Sequence, residues 1–179
     1  MSLFQRSVLD KYLKQQDAAR VTKGFEVLRA HFHDPAIQAN IRESKEEQYQ
    51  EGFLRDLFVN VLGYTLNPQD HYDLTTELKN EKGSKKADGA ILENGKAIAV
   101  IELKGTDTTD LGTINTQAFN YKANQSQCVY VVTSNFEKLR FFIDNAVEWI
   151  EFDLFKLTEE QFRLLWLCLH RDSLFAGIP

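Results

Sequence analysis

Asp88 and the tripeptide Glu102-Leu103-Lys104 stand at the outer ends of two adjacent apolar segments. Asp88-Gly89-Ala90-Ile91-Leu92 runs into Glu93-Asn94-Gly95-Lys96, and Ala97-Ile98-Ala99-Val100-Ile101 runs out. Asn-Gly between two apolar runs is a strong hairpin signal. Two carboxylates and a lysine are the parts that Mg2+-dependent phosphodiester cleavage needs. Carboxylate oxygens hold a hard cation, and an ammonium orients water or stabilises charge on a phosphate.

That chemistry makes a demand on the hairpin. Strand alternation puts Glu102 and Lys104 on one face with Val100 and Ile98. A plain two-residue Asn94-Gly95 loop pairs Leu92 with Ala97 and sets Asp88 opposite Ile101. Asp88 and Glu102 then point to opposite faces and share nothing. One bulge or an odd-numbered loop restores a common face, and Glu93-Asn94-Gly95 suits a type I turn with a bulged glycine. Glu102 also follows the apolar run 97–101, where a charge without a cation or partner is costly. The plainer alternative makes Asp88 a turn residue and Glu102-x-Lys104 a solvated strand end.

The elements that must position these residues follow from periodicity. Residues 1–44 read as helical, with Val8, Leu9, Tyr12 and Leu13, then Phe25, Val27, Leu28 and Phe32, at helical intervals. His33-Asp34-Pro35 breaks the second helix. The best helix signal covers residues 45–62, where Tyr49, Phe53, Leu57 and Val61 form an i, i+4 stripe beside Leu54, Phe58 and Leu62. Gly63 stops it and Pro68 follows. Residues 67–84 are polar and rich in turn formers. The hairpin spans residues 85–104, and a helix follows at 111–122. A strand at 128–133, a turn at Ser134-Asn135 and a strand at 139–143 come next. Thr158-Glu159-Glu160-Gln161 has capping-box form and opens a final apolar helix through Leu169. This order predicts an α/β fold, a mixed sheet flanked by helices.

Composition sets limits. The 179 residues are 43% hydrophobic, enough for one core and one domain. No stretch of about 18 apolar residues exists, so no membrane span is expected. The N-terminus, Met1-Ser2-Leu3-Phe4-Gln5-Arg6, lacks the long apolar centre of a signal peptide. Cys128 and Cys168 make no disulfide framework, and a cytoplasmic protein is expected. A formal charge of −5 argues against strong freestanding DNA binding, which draws on an excess of lysine and arginine. DNA affinity is therefore expected in another domain or chain. The apolar ending Ser173-Leu174-Phe175-Ala176-Gly177-Ile178-Pro179 reads as a boundary within a longer protein. His31-x-His33 has no companion at zinc spacing, and no phosphate-binding glycine loop is present.

The order Glu47, Asp88, Glu102-Leu103-Lys104, Gln117-x-x-x-Tyr121 and Thr133-Ser134-Asn135 resembles the PD-(D/E)xK nuclease superfamily. It is most similar to the N-terminal endonuclease domain of type IIG-like, or type I subunit-like, restriction-modification enzymes. Alanine rather than proline precedes Asp88. The resemblance covers residues 45–143 and implies a restriction-endonuclease-like core over 45–179 behind an N-terminal helical segment at 1–44. Such nucleases often take a further carboxylate from a helix entering a Leu-Gly-Tyr turn, here Leu62-Gly63-Tyr64. Glu46, Glu47 and Glu51 are the candidates, with Glu47 preferred by spacing. Ser44-Lys45-Glu46-Glu47 equally reads as a capping box.

By this resemblance Asp88, Glu102 and the Leu103 carbonyl bind Mg2+, which Mn2+ replaces. Lys104 positions or deprotonates the attacking water, and Glu47 binds a second cation or orients the first shell. The product carries a 5′-phosphate. Gln117 and Tyr121, on one helix face, orient Lys104 or contact a phosphate, as Lys85 and Lys86 also could. Tyr121 could instead simply pack, with Gln117 exposed. The implied partners are double-stranded DNA and methyltransferase and target-recognition domains. The rival expectations are a catalytically silent module of the same fold and a repair or recombination nuclease.

Overall fold

The computed structural model describes residues 3–81 and 85–179. Its centre is a mixed six-stranded sheet in the order β1 (Leu74–Lys79), β2 (Lys86–Glu93), β3 (Lys96–Leu103), β4 (Tyr130–Ser134), β5 (Lys138–Ile143) and β6 (Ile150–Asp153). Every neighbouring pair is antiparallel except β3–β4, which is parallel. A parallel pair needs a crossover. A 3-10 turn at Leu111–Ile114 and a helix at Asn115–Ala123 supply it. Six further helices lie among the described residues: α1 (Arg6–Lys14), α2 (Ala18–Phe32), α3 (Pro35–Glu43), α4 (Glu46–Phe53), then, after the crossover helix α5, α6 (Glu159–Leu169) and α7 (Arg171–Phe175). The molecule is an α/β structure of the class expected.

Period-2 alternation divides the strands between two cores. One face of the sheet contributes Ile91, Ile101, Leu103, Val132 and Phe141 to a cluster with Phe25, Leu28 and Phe32 of α2, Phe53 of α4 and Phe162 of α6. The opposite face contributes Val100, Val131 and Phe142 to a smaller cluster under Ala118 and Tyr121 of α5. Residues of 1–44 thus share the main core with the sheet.

Several elements depart from the sequence reading. Strand β1 lies inside the stretch 67–84 read as turns, and pairs Leu74 with Ile91 and Thr76 with Gly89. As an edge strand with only one neighbour it carries a weak apolar signal; residues 82–84 of that stretch lie outside the described residues. The four-residue β6 and the short α7 were also missed, and Leu174 and Phe175 belong to α7.

The long helix begins as expected but changes its winding. After Phe53 it continues as a π-helical segment at Leu54–Val59. Asp56, inside that segment, accepts a 2.8 Å hydrogen bond from the Tyr49 hydroxyl and lies 3.0 Å from His31 Nε2. Gly63 stops the helix in the left-handed region at φ +85°, with Tyr64 N–H bonded back to the Phe58 carbonyl. The Tyr64 hydroxyl then donates to the Leu169 carbonyl at 2.6 Å, tying this turn to the end of α6. The capping box at 44–47 does not form. Ser44 closes α3, and Gln48 reaches back to the Lys45 N–H at 2.7 Å. Shifted by one residue, the cap leaves Glu46 and Glu47 free of that duty.

Candidate functional site

The β2–β3 hairpin meets the demand set by its carboxylates, by a different route from the loop expected. Asn94 and Gly95 both have positive φ, 51° and 77°, which makes a two-residue type I′ turn pairing Glu93 with Lys96. Leu92 pairs with Ala97, but Ile91 pairs with Ala99, so the register shifts at Ile98. Gly89 then faces Ile101, the last pair of this ladder, and just beyond it the Asp88 side chain meets the Glu102–Leu103 end of β3. The bulge lies inside β3 rather than at the glycine of the loop, and it brings the two carboxyls together.

Asp88 Oδ2 accepts a 2.8 Å hydrogen bond from the Leu103 N–H, and its carboxyl is within hydrogen-bonding reach of Glu102. Glu102 is only 2% exposed, and its Oε2 has no hydrogen-bond partner. Burial first, and the Asp88 charge second, push the Glu102 carboxyl up to about 8, against the opposing pull of Lys104. Burial likewise raises Asp88, while the Leu103 N–H and then Lys104 act the other way. Two desolvated carboxyls side by side cannot both ionise cheaply. Together they bind a proton, or would bind a cation in its place.

Of the helix carboxyls, Glu46 is one whose charge interacts with this pair. Burial raises it, Lys104 opposes that shift, and Asp88 and Glu47 reinforce it. A Cβ on Gly105 would lie 3.8 Å from the Glu46 backbone nitrogen, so the start of α4 sits against the chain just beyond Lys104. Glu47 is exposed and lines an open cavity of about 400 Å³ with Arg42, Lys45, Glu46 and Asp107. Glu51 is exposed and forms an i, i+4 pair with Arg55 at 3.1 Å. Asp88 and Glu102 thus stand together under the charge of Lys104, Glu46 interacts with them electrostatically, and Glu47 and Glu51 are exposed.

At Gly89 the helix side chains approach the strand closely. A Cβ there would lie 3.3 Å from Leu54 Cδ1 and 3.4 Å from Ile101 Cβ. Gln117 Nε2 donates to the Tyr121 hydroxyl at 3.1 Å; Tyr121 is buried under the sheet and Gln117 is exposed. Lys85 and Lys86 are exposed at the start of β2. Sequence reasoning offered Glu46 among three candidates without distinguishing it, and did not foresee the close approach at Gly89. Only the strand-to-helix contact, which has no sequence period, could have revealed either.

Among the described residues no three His, Cys, Asp or Glu side chains form a ready cage for a metal. A cation held by two carboxylates and otherwise by water and substrate oxygens, as Mg2+ commonly is, needs no such cage. The orphaned Glu102 Oε2 beside Asp88 fits that sparser mode. No described helix is long and apolar enough to cross a membrane. Comparison with protein-family models, curated proteins and solved structures returned no match.

Proposed function

We propose that Asp88, Glu102 and Lys104 form the centre of a Mg2+-dependent DNA endonuclease of the PD-(D/E)xK type, belonging to a restriction-modification enzyme. The observation that carries this reading is the bulged register of β2 and β3, which sets Asp88 against Glu102 with Lys104 close by. A regular two-residue hairpin would have separated them. The meeting of two carboxyls beside a lysine supports this reading, because one small cation needs its ligands on a common face.

A divalent cation between these carboxyls would supply Lewis-acid activation of a phosphodiester. Asp88 is held ready by the Leu103 N–H, so its second oxygen is oriented before any ligand arrives. Lys104 presents an ammonium beside the pair, where it orients a water and stabilises charge developing on the phosphate. Glu46, at the start of α4, adds a third carboxyl at the rim and takes the part that spacing assigned to Glu47. Exposed Lys85 and Lys86 flank Asp88 and suit contact with a DNA backbone. Association with methyltransferase and target-recognition domains, and a cytoplasmic setting, complete the proposal.

Plasmid nicking tests it. The protein should nick supercoiled DNA with Mg2+ or Mn2+ and stop in EDTA, and Asp88→Asn should remove both cutting and Mn2+ binding measured by calorimetry. Equal Mn2+ binding by the two proteins would take Asp88 out of the site.

A further inference from the structure

Beside the carboxyl pair lies a group that the reading above does not use. Thr133, in β4, is paired in register with Glu102 on one side and Arg140 on the other. It is fully buried, and its hydroxyl has no hydrogen-bond partner. By alternation it lies on the face of Val131, as Glu102 lies on the face of Val100, and both faces turn to α5. Arg140 is engaged elsewhere, with Glu151 at 2.9 Å and over the Trp149 ring at 4.8 Å. Two unpartnered buried oxygens, Thr133 Oγ1 and Glu102 Oε2, therefore occupy matched positions on neighbouring strands.

Their chemistry is complementary. The unpartnered Glu102 oxygen can accept, and a hydroxyl can donate. Residues 131 and 132 of the same strand are valines. Valine at 133 would fill the same volume without burying a hydroxyl, whose desolvation is uncompensated unless it finds a partner. Strand propensity alone would favour threonine and valine alike.

We propose that Thr133 is a positioning residue whose hydroxyl donates to Glu102 Oε2, through rotation of the side chain or one bridging water, and so holds that carboxylate in line with Asp88. The catalytic consequence rests on the nuclease reading; the hydrogen bond itself does not.

The test compares Thr133→Val, which keeps the shape, with Thr133→Ser, which keeps the hydroxyl, in the whole protein. In the metal-free proteins the carbon-13 resonance of the Glu102 carboxyl, assigned by its loss in Glu102→Gln, should move in Thr133→Val and stay in Thr133→Ser. Thermal melting checks that each variant folds, and Thr133→Ala replaces Thr133→Val if the latter does not. Mn2+ affinity should fall roughly tenfold in Thr133→Val and return in Thr133→Ser, as expected for a group that orients a ligand. In nicking assays the loss should appear in kcat with KM unchanged. An unmoved Glu102 resonance in Thr133→Val, or a serine variant that behaves like the valine one, overturns the proposal. A wild-type protein that neither binds Mn2+ nor nicks DNA overturns the nuclease reading instead, and the Glu102 resonance still decides the hydrogen bond.

Discussion

Lys104 is the residue whose role separates chemistry from binding. It is half-buried, its backbone N–H is fixed to the Ser134 carbonyl at 2.9 Å, and its charge opposes the raised affinity of Glu46, Asp88 and Glu102 for protons. If its ammonium acts on the transition state, Lys104→Ala loses cutting while Mn2+ and DNA binding survive, because only differential stabilisation changes kcat. A loss of roughly 10²–10⁴-fold is the scale of a positioned proton-transfer group. Single-turnover cleavage alongside Mn2+ calorimetry makes the comparison. Full cutting by this variant would remove Lys104 from the mechanism.

At the scale of elements, the site exists where a helix start, a strand end and a bulge meet. The Ile98 bulge turns Asp88 and Glu102 to one face, and the glycine at 89 lets the π-helical continuation of α4 press against β2. The π segment is braced by the Tyr49–Asp56–His31 contacts, of which Tyr49 lies one turn from Glu46. Gly89→Ala should force Leu54 away by a few tenths of an ångström and cost about 1–3 kcal/mol, the range for overpacking a tight contact. Urea unfolding measures the loss. An unchanged midpoint would show that Leu54 yields freely and that the seating of α4 does not depend on this glycine.

For the whole molecule, buried titratable groups give a stability profile with two opposed limbs. His170 is lowered to about 4, by burial first, so its contribution is present above the ordinary histidine value of 6.5 and is lost as pH falls toward 4. Glu102 behaves oppositely. Raised to about 8, its contribution is present below the unfolded carboxyl value of 4.5 and is lost as pH rises through 8. Between pH 6.5 and 8 the His170 contribution is constant, so a fall in melting temperature across that window in EDTA reports the carboxyl pair. Glu102→Gln should flatten it. A wild-type profile level from pH 6.5 to 8 would mean that Glu102 ionises without penalty in the folded state.

Much of this architecture was legible in one dimension because its causes are local. Asn94-Gly95 dictates a type I′ turn, Gly63 a left-handed helix stop, and Thr158 with Gln161 a reciprocal cap, and each appears where its residues lie. The alternation that puts Glu102 on the face of Val100 is equally local. Other features depend on contacts between distant segments, and those carry no period. Strand β1 is held by pairing with β2 and a bridge from Leu66 to Leu74, contacts that leave no period in residues 74–79. The position of the bulge follows from how β3 must register against both β2 and β4, not from the turn, and tertiary packing moved it from Gly95 to Ile98. The positions of Glu46 and Glu47 follow from the one-residue shift of the α4 cap and the approach of its first turn to Gly105. Sequence alone determined which carboxyl and ammonium groups stand at the ends of the apolar strands. Only the folded chain decided which carboxyls meet, because a meeting across strands and helices is a property of packing rather than of spacing.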